Sequence, residues 1–194
     1  MNLPHIYLAS KSPRRRQMLE MVGIKFTQLD VEVDEDNHFA DNPGDYVISL
    51  SRKKAEEAAT KISEGIVATA DTIVFIDGQI INKPKDAEDA RRMLRLLSGR
   101  THQVYTGFTL LRVPAGKVVQ DYGVTDVTFR KLDDDEIEEY VQSGAAFDKA
   151  GAYGIQDDLS ALFVDRIDGD FYNVVGLPLP KFYLALKTFS HRES

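Results

Sequence analysis

Three consecutive arginines open a predicted helix, and their chemistry points to an anion site. Ser12 is a preferred N-cap residue, Pro13 suits the first helical position, and Gly23 is a C-terminal cap. Residues 14–16 (Arg-Arg-Arg) therefore fall in the first turn, where the helix dipole already places positive charge. A bound phosphate would satisfy these cations. The alternative is a solvated basic face of the helix.

Asp71 is the second candidate, because it stands alone in the apolar stretch 66–76. A lone ionised carboxylate buried there would be strongly destabilising, so Asp71 must lose its charge, meet a cation or metal, or face a cleft. Asp71 is therefore the best candidate in the chain for a general base or a metal ligand. The alternative is a structural carboxylate paired with one arginine.

Other residues have suitable chemistry but weaker signals. Lys83 lies in a Lys-Pro pair, Lys54 in a basic run on a predicted helix, and Glu35 in an acidic loop, where exposure to solvent is the default. Phosphoryl transfer needs several cations and one or two carboxylates that hold Mg²⁺ against phosphate oxygens, and these residues make such a set. The glycines of residues 148–156 permit close approach to a ligand, and Gln156 offers a donor and an acceptor to a base edge. A tight entry to a strand is the alternative for that segment.

Composition narrows the class of protein. The chain has 194 residues, no cysteine and a formal net charge of −7. Disulfides, thiolate chemistry and cysteine zinc sites are excluded, and the acidic balance argues against nucleic-acid binding. No apolar run approaches the ~20 residues that span a bilayer, so we expect a soluble, cytoplasmic protein with no membrane partner. The four histidines lack metal-ligand spacing, and the glycine motifs of ordinary ATPases and dinucleotide enzymes are absent.

The elements that must position these residues follow from periodicity and punctuation. Strand and helix signals alternate, with several hairpins, which predicts an α/β protein with a mixed sheet in two lobes. The predicted strands are 6–9, 26–33, 66–76, 79–81, 102–113, 117–131, and a last hairpin of 162–167 with 171–175. The predicted helices are 13–22, 42–61, 86–97, 134–142 and 180–189.

Six segments together resemble the Maf family of nucleoside triphosphate pyrophosphatases over almost the whole chain. These segments are 9–15 (Ala-Ser-Lys-Ser-Pro-Arg-Arg), 70–72 (Ala-Asp-Thr), 83–84 (Lys-Pro), 97–104 (Leu-Ser-Gly-Arg-Thr-His-Gln-Val), 148–156 (Asp-Lys-Ala-Gly-Ala-Tyr-Gly-Ile-Gln) and 174–178 (Val-Val-Gly-Leu-Pro). The combination of Arg14, Thr72 and Gln156 is similar to the branch acting on dTTP and UTP. The resemblance implies a single Maf-like domain over residues 1–194. Its implied fold is an elongated mixed β-sheet flanked by helices, ITPase-like, with two lobes and a central cleft.

The resemblance also implies a hydrolase that clears the nucleotide pool by converting a nucleoside triphosphate to the monophosphate and pyrophosphate, with Mg²⁺ or Mn²⁺. By position, Asp71 would accept the proton of the attacking water and share the metal with Glu35, for which Asp34 is a rival. Arg14, Thr72 and Gln156 would select the base. The residues expected to hold the phosphates are Ser10, Arg14, Arg15, Lys54 and Lys83.

The chain departs from the family at residues 157–160, where Asp-Asp-Leu-Ser replaces the usual glycine-rich turn. Two alternatives stay open at this point: a pyrophosphatase preferring 7-methyl-GTP, and a non-catalytic nucleotide sensor that regulates septum formation. A carboxylate kept in an apolar strand favours catalysis over sensing, because a sensor needs no base. Family members are often dimers, so the resemblance also suggests a homodimer.

Overall fold

The computed structural model describes residues 3–33, 42–156 and 159–191. The strands are β1 (Ile6–Ala9), β2 (Phe26–Leu29), β3 (Gly65–Ile76), β4 (Gln79–Ile81), β5 (Thr101–Val113), β6 (Val118–Phe129) and β7 (Val164–Asp168). The helices are α1 (Pro13–Met21), α2 (Pro43–Ala59), α3 (Ala87–Leu97), α4 (Asp134–Gln142), α5 (Phe171–Val175) and α6 (Leu179–His191). Short 3₁₀ turns cover Ala150–Ala152 and Ser160–Phe163.

Local signals position most of these elements as predicted. Asn42 caps α2, its Oδ1 accepting a hydrogen bond from the Gly44 amide at 2.8 Å. Asp86 caps α3 in the same manner. The β3–β4 turn takes positive φ at Asp77 (52°) and Gly78 (75°), the conformation that an Asp-Gly hairpin requires. The hairpin prediction for 66–81 is therefore confirmed.

The strands form one mixed seven-stranded sheet in the order β2-β1-β3-β5-β6-β7, with β4 pairing with β3. Strand β1 is parallel to β2 and β3, whereas the β3–β4 and β6–β7 pairs are antiparallel. This arrangement confirms the predicted α/β class with a mixed sheet and helices. Among the described residues, no helix is long and apolar enough to cross a membrane.

The chain divides into two compact units, which agrees with the two predicted lobes. Unit 1 comprises Met1–Asp71, Thr106–Gly123 and Gly176–Ser194, and unit 2 comprises Thr72–Tyr105 and Val124–Val175. In unit 1, a buried cluster joins α2 to the sheet through Ala9, Ala55, Ala58, Val67 and Leu111. In unit 2, edge-to-face rings form an aromatic cluster of His102, Phe129, Tyr140, Tyr153 and Phe163. The central cleft and the single domain stay predictions.

The second arm of the predicted last hairpin is wrong, because residues 171–175 form helix α5. The Asp170 carboxylate accepts the amide of Tyr172 at 2.8 Å, which favours a helical start despite the β-branched residues that follow. The turn then buries Asn173, whose Nδ2 donates to the Val104 carbonyl at 2.9 Å and to Thr125 Oγ1 at 3.1 Å. Tertiary hydrogen bonds have overridden β propensity here.

Strand β2 is also shorter than predicted, since it ends at Leu29 rather than at Val33. The Lys61 ammonium donates to the backbone carbonyl of Asp30, so a side chain binds that carbonyl immediately after the strand ends. Val31 packs against the apolar cluster of unit 1 without strand pairing.

Candidate active site

In unit 1, strand β1 pairs in parallel with β3, the strand that carries Asp71. The register matches Tyr7 with Val67 and Leu8 with Ala68. Ser10 directly follows β1, two residues after Leu8, and Asp71 lies three residues after Ala68 on β3. Helix α1 begins just beyond Ser10, so the arginine-rich turn starts at the carboxyl end of β1. Ligands of α/β sheets commonly bind at such strand ends.

Ser10 and Arg15 contact each other at this strand end. Ser10 is only 7% exposed, and its hydroxyl accepts hydrogen bonds from the Ser12 amide at 3.2 Å and from Arg15 Nη1 at 3.3 Å. Arg15 Nε donates to the Gly176 carbonyl at 2.7 Å. The guanidinium is therefore held in place by two neutral oxygens. Two of the predicted phosphate-binding residues thus lie together.

The rest of the first turn keeps the charge pattern that the sequence predicted. Ser12 occupies the N-cap position without a side-chain capping bond, and the first turn of α1 contains no acidic residue. Arg14 is half-buried, while Arg16 Nη1 donates to Gln28 Oε1 at 2.9 Å. The phosphate site at this helix start stays a prediction.

Asp71 is paired with Lys54. Residues Val67, Thr69 and Asp71 alternate along β3 and point to α2, where the Lys54 ammonium donates to Asp71 Oδ1. The Asp71 side chain is only 12% exposed and the Lys54 side chain 19%. A cation thus compensates the buried carboxylate, and it is a lysine from the helix rather than the arginine of the structural alternative. Within the described part of the chain, Lys54 is the only hydrogen-bond partner of the Asp71 side chain.

In unit 2, the β3–β4 hairpin positions Thr72 and Lys83. The paired part of the hairpin ends at Val74 and Ile81, so Thr72 lies two residues before it on β3 and Lys83 two residues after it. Thr72 is half-buried and Lys83 is exposed. The Asn82 carbonyl accepts a hydrogen bond from the Gly151 amide at 3.1 Å, so the segment 148–156 contacts the chain just after β4.

The glycine-containing segment has a tightly constrained backbone. Gly151 (φ 71°) lies against Val74, and an added Cβ would come within 2.9 Å of Val74 Cγ2. The non-glycine Ala152 also has a positive φ, of 62°. Ser160 Oγ donates to the carbonyl of Gly154 at 2.6 Å and accepts its amide at 3.3 Å. Gln156, at the end of the segment, is exposed.

A buried hydrogen bond to His102 holds Tyr153 of this segment in place. Tyr153 Oη and His102 Nε2 are 2.7 Å apart, and both residues are buried. Burial lowers the pKa of His102 to about 3 and raises the pKa of Tyr153. Both groups are therefore neutral at pH 7, and the contact is a hydrogen bond rather than an ion pair.

The comparisons with known proteins identify the family. A family model described as Maf-like protein matches residues 5–189. The chain belongs to the Maf family. A dTTP/UTP pyrophosphatase of Carboxydothermus hydrogenoformans is 46% identical over 186 residues, covering 96% of this chain and 99% of that protein. A dTTP/UTP pyrophosphatase of Bacillus cytotoxicus is 46% identical over 182 residues and covers 94% of each chain.

One solved structure has a similar fold. The HAM1 protein from Coxiella burnetii superposes with a TM-score of 0.50 at 14% identity, covering 96% of this chain and 100% of that one. At that identity the likeness concerns the fold alone.

The predicted metal ligand Glu35 and its rival Asp34 lie outside the described residues. The same holds for Asp157 and Asp158 of the loop that departs from the family. Within residues 3–33, 42–156 and 159–191, no three His, Asp or Glu side chains are grouped closely enough to hold a metal. The metal assignment to Glu35 and Asp71 stays a prediction.

Several supporting residues were missed in the sequence. Buried hydroxyl groups of Ser51, Thr69, Thr109 and Ser160 make hydrogen bonds around the two groups of site residues. Only Thr69 had a usable signal, since its position two residues before Asp71 in a strand puts both side chains on one face.

Proposed function

We propose that this Maf protein hydrolyses nucleoside triphosphates, with dTTP and UTP preferred, to the nucleoside monophosphate and pyrophosphate. The contact of Lys54 with the buried Asp71, beside the strand end that carries Ser10 and Arg15, is the observation that carries the proposal. The contact pairs the buried carboxylate with one cation, and Arg15 supplies a second cation beyond the carboxyl end of β1. The names of the relatives at 46% identity supply the reaction and the two substrates.

Asp71 is proposed to activate the attacking water. Lys54 holds Asp71 Oδ1, so the second carboxylate oxygen is the atom that takes the proton. The water oxygen bonds to the α-phosphorus, the bond from that phosphorus to the bridging oxygen of the β-phosphate breaks, and pyrophosphate leaves. General-base catalysis of this kind contributes about 10²- to 10⁴-fold.

Cations are proposed to neutralise the triphosphate as charge develops on the leaving pyrophosphate. Arg15 suits this role because bonds to Ser10 Oγ and the Gly176 carbonyl orient its guanidinium before any ligand binds. Arg14, Lys54 and Lys83 are the other proposed phosphate contacts. Arginine can contact phosphate through two parallel N–H groups, which adds orientation to charge.

A divalent cation, Mg²⁺ or Mn²⁺, fits the donor set in part. Carboxylate oxygens are hard ligands, and Mg²⁺ in such sites uses one or two carboxylates together with substrate phosphates. Asp71 supplies one carboxylate, and Glu35 is proposed as the second. When bound, the cation polarises the phosphate oxygens and favours attack on phosphorus.

Base selection is assigned to Gln156, with Arg14 and Thr72. The exposed Gln156 amide offers a donor and an acceptor that match the O4 and N3–H edge of uracil and thymine. Cytosine presents the opposite pattern at these atoms. We place the reaction in the cytoplasm, and the homodimer suggested by the resemblance stays a prediction.

A substrate panel tests the proposal. The purified protein, with Mg²⁺ or Mn²⁺, is assayed against dTTP, UTP, CTP and 7-methyl-GTP, and nucleoside monophosphate and pyrophosphate are measured separately. We expect equimolar products, with UTP and dTTP turned over fastest. Preference for 7-methyl-GTP, or binding without turnover, would replace the proposal with one of the two alternatives.

Asp71→Asn tests the proposed base. We expect kcat to fall at least ~10²-fold with the fold retained, since asparagine cannot take up the proton at neutral pH. Asp165→Asn, on an exposed carboxylate of β7, is the matched control and should keep full turnover. Wild-type turnover by Asp71→Asn would remove Asp71 from the mechanism.

A further inference from the structure

A chain of buried hydroxyl groups ties α2 to the strands beneath it. Gln120 Nε2 on β6 donates to Thr109 Oγ1 on β5 at 3.1 Å, and Thr109 Oγ1 lies 2.8 Å from Ser51 Oγ on α2. The Ser51 hydroxyl donates to the Ile48 carbonyl at 2.9 Å. Because a hydroxyl has one proton, Thr109 must donate to Ser51. The chain of bonds therefore has one consistent direction.

A second bond holds α2 next to the ion pair. Thr69 Oγ1 on β3 donates to the Ser51 carbonyl at 2.6 Å, and both residues are 1% exposed or less. Thr69 precedes Asp71 by two residues on the same face of the strand, and Ser51 precedes Lys54 by three residues on the helix. The bond thus lies within one helical turn of Lys54 on α2 and two residues from Asp71 on β3.

A close backbone contact fixes α2 at another point. An added Cβ on Gly107 of β5 would lie 2.7 Å from the carbonyl carbon and oxygen of Val47. The backbone of α2 therefore touches β5 one turn before Ser51. With the Thr69 and Thr109 bonds, this contact fixes the helix both along the strands and about its own axis.

We propose that Thr69 is a positioning residue, which sets where the Lys54 ammonium stands relative to the Asp71 carboxylate. The Ser51 carbonyl on α2 accepts the hydrogen bond from Thr69, and Thr109 on the neighbouring strand β5 binds the Ser51 hydroxyl. This inference rests on the proposed hydrolysis, in which Asp71 takes the proton of water and Lys54 orients it.

Apolar packing alone would not give this control. The methyl groups of Ala55, Ala58 and Val67 favour burial of the helix but impose no direction on it. A hydrogen bond loses strength within a few tenths of an ångström and a few tens of degrees. Such a tether suits the Lys54–Asp71 pair, because the Asp71 carboxylate must contact the reacting water and small misplacements of catalytic groups slow the reaction.

Matched substitutions test the inference through turnover. In Thr69→Val the shape is kept and the donor is lost, so we expect kcat for UTP to fall about 10- to 100-fold, with a much smaller change in KM. Thr69→Ser restores the hydroxyl and should restore most of kcat. Thr128→Val is the control, because its hydroxyl bonds Thr101 at 2.8 Å in unit 2. A kcat for Thr69→Val equal to that of the control would overturn the inference.

A measurement without turnover separates this inference from the proposed function. Thr69→Val, Lys54→Met and the double variant are unfolded with urea, and the midpoints form a double-mutant cycle. We expect coupling, since the loss of Thr69's hydroxyl should matter less once the ion pair is gone. Additive midpoints would overturn the positioning role even in an active enzyme. A wild-type protein that is inactive on all triphosphates would refute the proposed function. The double-mutant cycle would still show whether Thr69 and Lys54 are coupled.

Discussion

His102 should make the stability of this protein depend on pH in a range where few other groups titrate. Its ring is 1% exposed, and its described neighbours are the Tyr153 hydroxyl and the rings of Phe129 and Tyr153. Its Nδ1 is buried with no hydrogen-bond partner among the described residues. Burial accordingly lowers its pKa from the usual 6.5 to about 3.

The direction of this pH dependence follows from which state, folded or unfolded, binds the proton. Below pH 6.5 the unfolded chain protonates this histidine and the folded protein does not, so the free energy of unfolding falls as the pH falls. The slope approaches about 1.4 kcal/mol per pH unit between these two values. At pH 5 the loss relative to pH 8 is about 2 kcal/mol, and it reaches about 5 kcal/mol below pH 3.

Urea unfolding at pH 8, 7, 6 and 5 measures this loss. His102→Gln removes the titrating ring while keeping a hydrogen-bonding side chain for Tyr153, so its stability should vary less over that range by about 2 kcal/mol. His5→Gln, on an exposed histidine, is the control and should keep the wild-type slope. The pKa values of Glu136 and Glu138 are near 2, lowered mainly by hydrogen bonds from Arg130 and Arg91. Their contribution to the free energy of unfolding is lost only in more acidic solution, so the measurements stop at pH 5. Equal slopes for wild type and His102→Gln would refute the burial argument.

The base contact, one phosphate contact, the backbone of segment 148–156 and the metal requirement can each be tested. Gln156→Ala should lower kcat/KM for UTP and dTTP by about 1–3 kcal/mol and narrow the gap to CTP; an equal loss for every triphosphate would remove its role in base selection. Arg15→Ala should raise KM for all triphosphates alike and lower the free energy of unfolding by about 1–2 kcal/mol, because the bonds to Gly176 and Ser10 are lost. Gly151→Ala should reduce the urea midpoint, since it adds a Cβ at φ 71° against Val74, whereas Gly116→Ala at φ 68° has open space and reports the cost of the dihedral alone. Exhaustive EDTA treatment should abolish hydrolysis and Mg²⁺ or Mn²⁺ should restore it; activity that survives would refute the metal requirement.

The sequence by itself determined most of the element boundaries, because caps and turns act between neighbours. Asn42 and Asp86 bind amides two or three residues away, and Asp77-Gly78 accepts a turn geometry that most residues resist. It also singled out Asp71, since the cost of a charge in an apolar strand is readable from residue types alone.

The tertiary structure alone decided which groups meet. Lys54 and Asp71 are 17 residues apart, and with 24 lysines and arginines in the chain no local rule selects the partner of that carboxylate. The segment 171–175 carries β-branched residues, yet it is helical. Besides the local bond from the Tyr172 amide to Asp170, Asn173 finds partners on two distant strands. Hydrogen bonds of this kind depend on how strands and helices are stacked, and stacking is a property of the whole core rather than of any window of sequence.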